Sequence, residues 1–377
     1  MTCFELPATV ALAASRTRAL GFWKRLQTKV DEEVTVSGIE DVASLAGVSK
    51  ATVSRALSGR GYVSVETRAK VSDAAHRLGY VVSSSASSLV TGRTNNVGVI
   101  IPRINQWFFG SILEGVERAL LDRGYDLMLY NVSKTVEERS KVFEYFLVRK
   151  RVDAVIAVTL EITPAETERL VGLGKPIAGI GGPLEGIPTV SIDDVAAARL
   201  ATEHLLLLGH RDIVHVGGDV DEQMDFHVHS KRLKGFLEAL TAAGLPHDEN
   251  SYLATRFDIP GGYRVGKQLL GDPRRRPTAV FAAADEVAIG VILAARELGI
   301  SVPDDLSVIG IDNHPLSDMF GLTTVEQRPD LQGEHAVDWV IRQLEQPGWS
   351  PDAGHAFAPT RLVMRSSTAP PRPRAGS

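Results

Sequence analysis

Apolar positions in this chain follow two rhythms, and the change from one to the other divides it. Between Ser37 and Tyr80 they recur three and four apart, as Ile39, Val42 and Leu45, then Val53 and Leu57, then Val71, Ala75 and Leu78. That spacing predicts three short amphipathic helices. Ser37 and Glu40 have capping-box spacing, Gly47 makes a turn, Ser49 can cap the second helix, and the third runs from Ser64 to Gly79. From Asn96 onward, short apolar runs alternate with amphipathic ones. Val97–Ile101, Tyr125–Tyr130, Ala154–Val158, Ile177–Ile180, Ile213–Val216, Ala279–Ala282 and Leu306–Ile311 read as strands, with helices such as Asp285–Leu298 between most of them. This is the pattern of an α/β fold with parallel sheets. About 280 residues are too many for one such sheet with a single core, so two lobes are expected.

Three short helices with a tight turn between the first two form a helix-turn-helix pattern. Its second helix enters the DNA major groove with its N-terminal residues at base edges. Ser49, Lys50, Ala51, Thr52 and Arg55 are the candidate DNA-contacting residues there. Arg55 can pair bidentately with guanine, Lys50 can reach guanine or phosphate, and the hydroxyls of Ser49 and Thr52 suit phosphate oxygens. The alternative is the solvated face of any small three-helix bundle. Charge favours DNA: residues 1–95 carry 12 Lys and Arg against 8 Asp and Glu, whereas the rest of the chain carries 29 against 38. A basic head on an acidic body orients the molecule on phosphate, which the whole-chain net charge of −5 conceals.

Other apparent motifs weaken on inspection. Gly261-Gly-Tyr-Arg-Val-Gly-Lys267 has the spacing of a phosphate-binding loop, but Gln268 stands where a Mg-binding Ser or Thr belongs, so a helix start near Gly262 is the better reading. His227 and His229 lack a Cys or acidic partner at metal-ligand spacing. No Gly-x-Ser-x-Gly turn occurs, so an enzyme, a cofactor and a metal site are not expected. Cys3 is the single cysteine, which excludes an intrachain disulfide and fits the cytoplasm. No run of 18 apolar residues indicates a membrane span. Thr9-Val-Ala-Leu-Ala-Ala-Ser15 superficially resembles the core of a signal peptide, but Glu5 and not a positive charge precedes it.

Several separate stretches occur in a telling order: Asp41-Val-Ala-Ser-Leu-Ala-Gly-Val-Ser-Lys-Ala-Thr-Val-Ser-Arg-Ala-Leu57, Leu78-Gly-Tyr80, Pro277-Thr-Ala-Val-Phe281, Val302-Pro-Asp-Asp-Leu-Ser-Val-Ile-Gly-Ile-Asp312 and Leu322-Thr-Thr-Val325. On these, the segment from about Ser37 to Ser367 resembles the lactose and galactose repressor (LacI/GalR) family of bacterial transcription regulators. The resemblance implies a three-helix helix-turn-helix head and a hinge, then a two-lobed periplasmic-binding-protein type I domain with three crossings between lobes. The expected divisions are 1–35, an extension expected to be disordered; 36–81, the head; 82–95, a hinge helix or linker; 96–367, the effector-binding and dimerisation domain; and 368–377, a disordered tail.

In the family the hinge helix pushes a Leu into the minor groove; Leu89 stands there, with Ala86 one turn earlier on the same face. An apolar wedge of this kind kinks a deformable base step. Val82, Ser83 and Ser87 replace the usual Pro-Asn and Arg, and the Ser-rich run reads equally well as a flexible linker. For the ligand, the resemblance assigns Phe108 and Phe109 to the pocket wall, Arg232 to ligand hydroxyls or carboxylates, Phe257 to ring stacking and Asp312 to an accepting carboxylate. Asp285 is either a helix N-cap or a ligand contact. Ala284 and Gly181 replace polar residues common in sugar-binding relatives. The implied function is a cytoplasmic, homodimeric repressor that reads a palindromic operator in double-stranded DNA and answers to a small sugar or sugar derivative. The alternatives are an activator or partner-controlled regulator with a vestigial cleft, and a sugar-capture protein, against which residues 37–80 argue.

Overall fold

The computed structural model describes residues 38–58, 61–80, 92–132, 139–143, 151–160, 162–220, 226–351 and 354–372. The chain divides into two compact units, Met1–Gly92 and Arg93–Ser377. In the first, α1 (Ile39–Ala46), α2 (Lys50–Ser58) and α3 (Val65–Arg77) enclose Val42, Val53 and Val71, all fully buried, together with Ala43, Ala56, Ala74 and Ala75. Gly47, at φ 67°, ends α1 in the left-handed conformation that a residue without Cβ adopts most easily. Ser49 Oγ accepts from the Thr52 N–H at 3.2 Å, the expected cap, and Ser64, expected to start the third helix, is its N-cap, with Oγ accepting from Thr67 N–H at 3.2 Å. The first cap differs from expectation. Gly38 is the N-cap and Asp41 Oδ2 accepts its N–H at 2.7 Å, half of a capping box one residue later than Ser37 with Glu40. Glu40 is thereby left on the exposed face, where it pairs with Lys50.

The second unit contains two six-stranded sheets. The first has β1 (Asn96–Ile101), β2 (Asp126–Asn131), β3 (Ala154–Val158), β4 (Ile177–Ile180), β5 (Thr189–Ser191) and β11 (His355–Phe357), in the order β11-β5-β4-β3-β1-β2, all parallel. The second has β6 (Ile213–Gly217), β7 (Tyr252–Ala254), β8 (Ala279–Ala282), β9 (Ser307–Asp312), β10 (Thr323–Glu326) and β12 (Arg361–Val363), in the order β12-β10-β9-β8-β6-β7, with only β12 antiparallel. Helices cover both faces of each sheet: α4 (Trp107–Leu121), α5 (Pro164–Val171) and α10 (Pro329–Glu345) in the first lobe, and α6 (Asp194–Leu207), α7 (Val228–Ala242), α8 (Ile259–Leu270) and α9 (Asp285–Glu297) in the second. The alternation of strand side chains explains the double burial. Val97, Val99 and Ile101 join the layer under α4 and α10, whereas Ile100 joins Val155 and Leu170 on the other face.

The chain passes between lobes after β5, β10 and β11, the three crossings expected. Strands β5, β7, β10, β11 and β12 were not foreseen; β7 has three residues, and the others mix polar residues into three or four positions, whereas the four-residue β4 and β8 are wholly apolar. The tail also corrects an expectation. Residues 368–372, expected to be disordered, lie against the second lobe, where Ala369 N–H donates to Ser307 Oγ at 3.0 Å and Arg372 reaches Asp304 at 2.8 Å. Residues 81–91, with Ala86 and Leu89, and residues 1–37 lie outside the described residues.

Candidate DNA-binding helix and ligand cleft

On α2, Val53 and Ala56 are buried, whereas Lys50, Ala51 and Arg55, together with Ser49 just before the helix, are exposed and Thr52 is half-buried. Ser49 Oγ and Thr52 Oγ1 also share a hydrogen bond of 2.9 Å, which fixes both hydroxyls at the helix start. Lys50 is engaged by Glu40 in an exposed pair, of the kind that contributes little to stability and exchanges readily for another anion.

In the second unit a cleft of about 770 Å³ lies between the lobes. Its wall comes from the carboxyl ends of the strands, where ligands of open α/β sheets bind. Pro102–Phe109 follow β1, Thr159 follows β3, Gly181 follows β4, Asp194 follows β5, Asp219 follows β6, Phe257 follows β7, Glu286 follows β8, Asp312 ends β9, and Gln327 and Gln332 follow β10. Five of the six expected ligand residues line it: Phe108, Phe109, Arg232, Phe257 and Asp312. Phe108 and Phe109 meet edge to face at 5.4 Å in the first turn of α4, with Phe109 part of the lobe core. Phe257 and His229 meet edge to face with ring centroids 4.5 Å apart.

Arg232 is buried, and Nε donates to Asp194 Oδ1 at 2.9 Å while Nη1 donates to the Ala283 carbonyl. Sequence reasoning missed Asp194 because the strand before it was not recognised. Gln327 and Gln332 were missed as well: polar residues opening a helix read as solvent-facing. Here Gln332 Nε2 donates to Gln327 O at 2.9 Å, and Gln327 Nε2 to Asp312 Oδ1. Burial, reinforced by the neighbouring Asp285 carboxylate, pushes the Asp312 carboxyl up to about 8. Burial likewise raises Glu286, helped by Asp258.

Asp285 is corrected on both counts. It does not line the cleft, and the N-cap of α9 is Ala284. Its fully buried carboxylate accepts from Ser317 Oγ at 2.7 Å, Thr324 Oγ1 at 2.7 Å and His314 N–H at 2.9 Å, tying β10 and the loop after β9 to α9. Gly181 has a physical reason of its own. Its φ is 113°, and a Cβ there would stand 2.9 Å from Thr159 Cα, so the cleft wall admits no side chain at that point. Thr159 Oγ1, buried beside it, has no hydrogen-bond partner among the described residues. Among the described residues no group of three His, Cys, Asp or Glu is placed to hold a metal, and no helix is long and apolar enough to cross a membrane.

The head and the cleft both have counterparts. Residues 38–83 match the model of bacterial regulatory proteins of the lacI family, and residues 202–368 that of a periplasmic-binding-protein-like domain. The HTH-type transcriptional regulator DegA of Bacillus subtilis is 34% identical over 339 residues, covering 88% of this chain and 98% of the relative. The chain belongs to the LacI family of transcriptional regulators. The ribose operon repressor of Halalkalibacterium halodurans is 35% identical over 340 residues, covering 88% of this regulator and 96% of the relative. Among solved structures, the lac repressor dimer bound to operator and an anti-inducer is 25% identical with a TM-score of 0.75, covering 88% of the regulator and 99% of that chain. The transcriptional regulator CelR in complex with cellobiose is 29% identical with a TM-score of 0.64, with the same coverage of 88% and 99%. A LacI-family regulator of Enterococcus faecium with bound ribose is 30% identical with a TM-score of 0.64, covering 73% and 99%. The regulator is therefore a DNA-binding protein of α/β architecture whose relatives control transcription.

Proposed function

We propose that the regulator is a cytoplasmic repressor that binds a palindromic operator as a homodimer, through Ser49, Lys50, Ala51, Thr52 and Arg55, and releases or retains it according to a small sugar or sugar derivative in the cleft. The observation that carries the effector reading is the lining: aromatic faces at Phe108, Phe109 and Phe257 surround a few polar groups, Arg232 and Asp312 foremost, in a volume suited to a small molecule. A sugar presents an apolar ring face for the aromatics and hydroxyls for the polar groups. The dimer reading follows from symmetry, since a palindrome is matched by a two-fold protein. Relatives with bound cellobiose and ribose name the first probes. Thermal shift of the full chain against ribose, cellobiose and related mono- and disaccharides is expected to raise the melting temperature with at least one of them, and Arg232→Ala to abolish the rise. No shift with any of them would contradict a sugar effector.

A further inference from the structure

Two helices of the first lobe begin at the cleft and end where the chain enters that lobe. At the cleft, α4 opens with Phe108 and Phe109, and α10 opens just after Gln327 and carries Gln332 in its first turns. The 17 residues of α10 span about 25 Å at 1.5 Å each. At the far end, the Leu344 carbonyl in its last turn accepts from Arg93 Nη2 at 3.0 Å. Past the end of α4, Asp126 N–H donates to Asn95 O at 2.8 Å.

The two helices cannot slide past each other freely. A Cβ on Gly115 would lie 2.0 Å from the Asp330 carbonyl, and one on Gly333 would lie 2.5 Å from the Ile112 carbonyl, so the backbones touch near the cleft. Further along, Arg118 pairs with Glu334 and Arg123 with Asp338. The entry of the chain is thus held against two references. The buried Asp153, at the start of β3, accepts from Thr94 N–H at 2.9 Å, Thr94 Oγ1 at 3.0 Å and Asn95 N–H at 2.8 Å, which fixes those residues to the sheet. Arg93, one residue earlier, is held by the Leu344 carbonyl at the end of α10, and its side chain also hydrogen-bonds Tyr125 just past α4. A displacement of the pair relative to the sheet therefore acts on the chain between Arg93 and Thr94, next to the segment that leads to the head.

We propose that Arg93 is a positioning residue through which α4 and α10, moving as one body, pass the state of the cleft to the root of the linker. This rests on the reading of residues 38–80 as the operator-binding head, but its test uses neither DNA nor effector, so the two can fail separately. Hydrogen exchange is measured by mass spectrometry on the full chain for wild type, Gln332→Met, Arg93→Met and the double variant. Gln332→Met keeps the buried volume and removes the bond to Gln327 at the cleft end. It is expected to speed exchange of the Thr94 and Asn95 amides about threefold or more, the low end of coupling within one network. In the Arg93→Met background the same change is expected to add nothing further. Exchange at Val280 and Val308, in the other lobe, is expected to stay at the wild-type rate. Should Gln332→Met disturb that lobe, Gln332→Asn shortens the same side chain and carries the same expectation. Wild-type exchange at residues 94 and 95 in the cleft variant, or independent addition of the two effects, would overturn the proposal, since helix coupling is a measured non-additivity and not a matter of proximity.

Discussion

Burial at the cleft wall and the neighbouring Asp285 carboxylate push the Asp312 carboxyl up to about 8, which favours its protonated form at neutral pH. An unfolded chain would ionise the same carboxyl near pH 4. The folded pKa is the higher one, so stability present below about pH 4 is lost progressively as pH rises toward about 8. Asp312→Asn removes that dependence. Scanning fluorimetry is expected to show wild type melting increasingly below the variant between about pH 5 and 8, by roughly 2–6 °C at the upper end; parallel curves would refute the buried proton. Arg55 on α2 makes a second residue-level case. Arg55→Ala is expected to reduce discrimination between operator and scrambled duplex by about 10- to 100-fold while leaving nonspecific binding nearly intact, read by competition binding at fixed salt.

At the level of elements, α4 and α10 meet backbone to backbone at Gly115 and Gly333. Gly115→Ala drives a methyl group against the Asp330 backbone and is expected to lower stability by about 1–3 kcal/mol or more in chemical denaturation, because backbone yields less easily than a side chain. Gly110→Ala, on the same helix with open space around it, is the matched control. The elements legible in the sequence are the three helices of the head, whose burial is periodic around Val42, Val53 and Val71, and apolar runs such as Val97–Ile101 and Ala154–Val158, whose residues are buried on both faces. Illegible were β5, β7, β11 and β12, of three residues each, and β10, whose Thr323-Thr-Val-Glu326 mixes polar with apolar positions; pairing and not pattern defines them. The site followed the same division. Phe108, Phe109, Arg232, Phe257 and Asp312 reached the cleft as the family resemblance implied, while Asp194 and Gln327 are there because of crossings that no local pattern marks. Asp285 was misjudged because a carboxylate at a helix start suggests a cap, whereas its partners come from residues 29 to 39 positions away.

Over the whole chain, residues 1–95 carry net positive charge and the remainder net negative charge, so phosphate attracts the first and repels the second. Exposed Glu40 opposes this locally by engaging Lys50. Glu40→Gln is expected to tighten DNA binding severalfold and to steepen its salt dependence by about one counterion, measured from the slope of log affinity against log salt; an unchanged slope would mean that Lys50 does not reach phosphate. The central claim, an operator-binding regulator, is tested most directly by fluorescence anisotropy with a labelled palindromic duplex from the DNA upstream of the gene and a scrambled duplex of equal length, at two salt concentrations. Tighter binding to the palindrome by about 10³-fold is expected, within the usual range of specific over nonspecific DNA binding. Equal affinity for the two duplexes, falling together with salt, would contradict it.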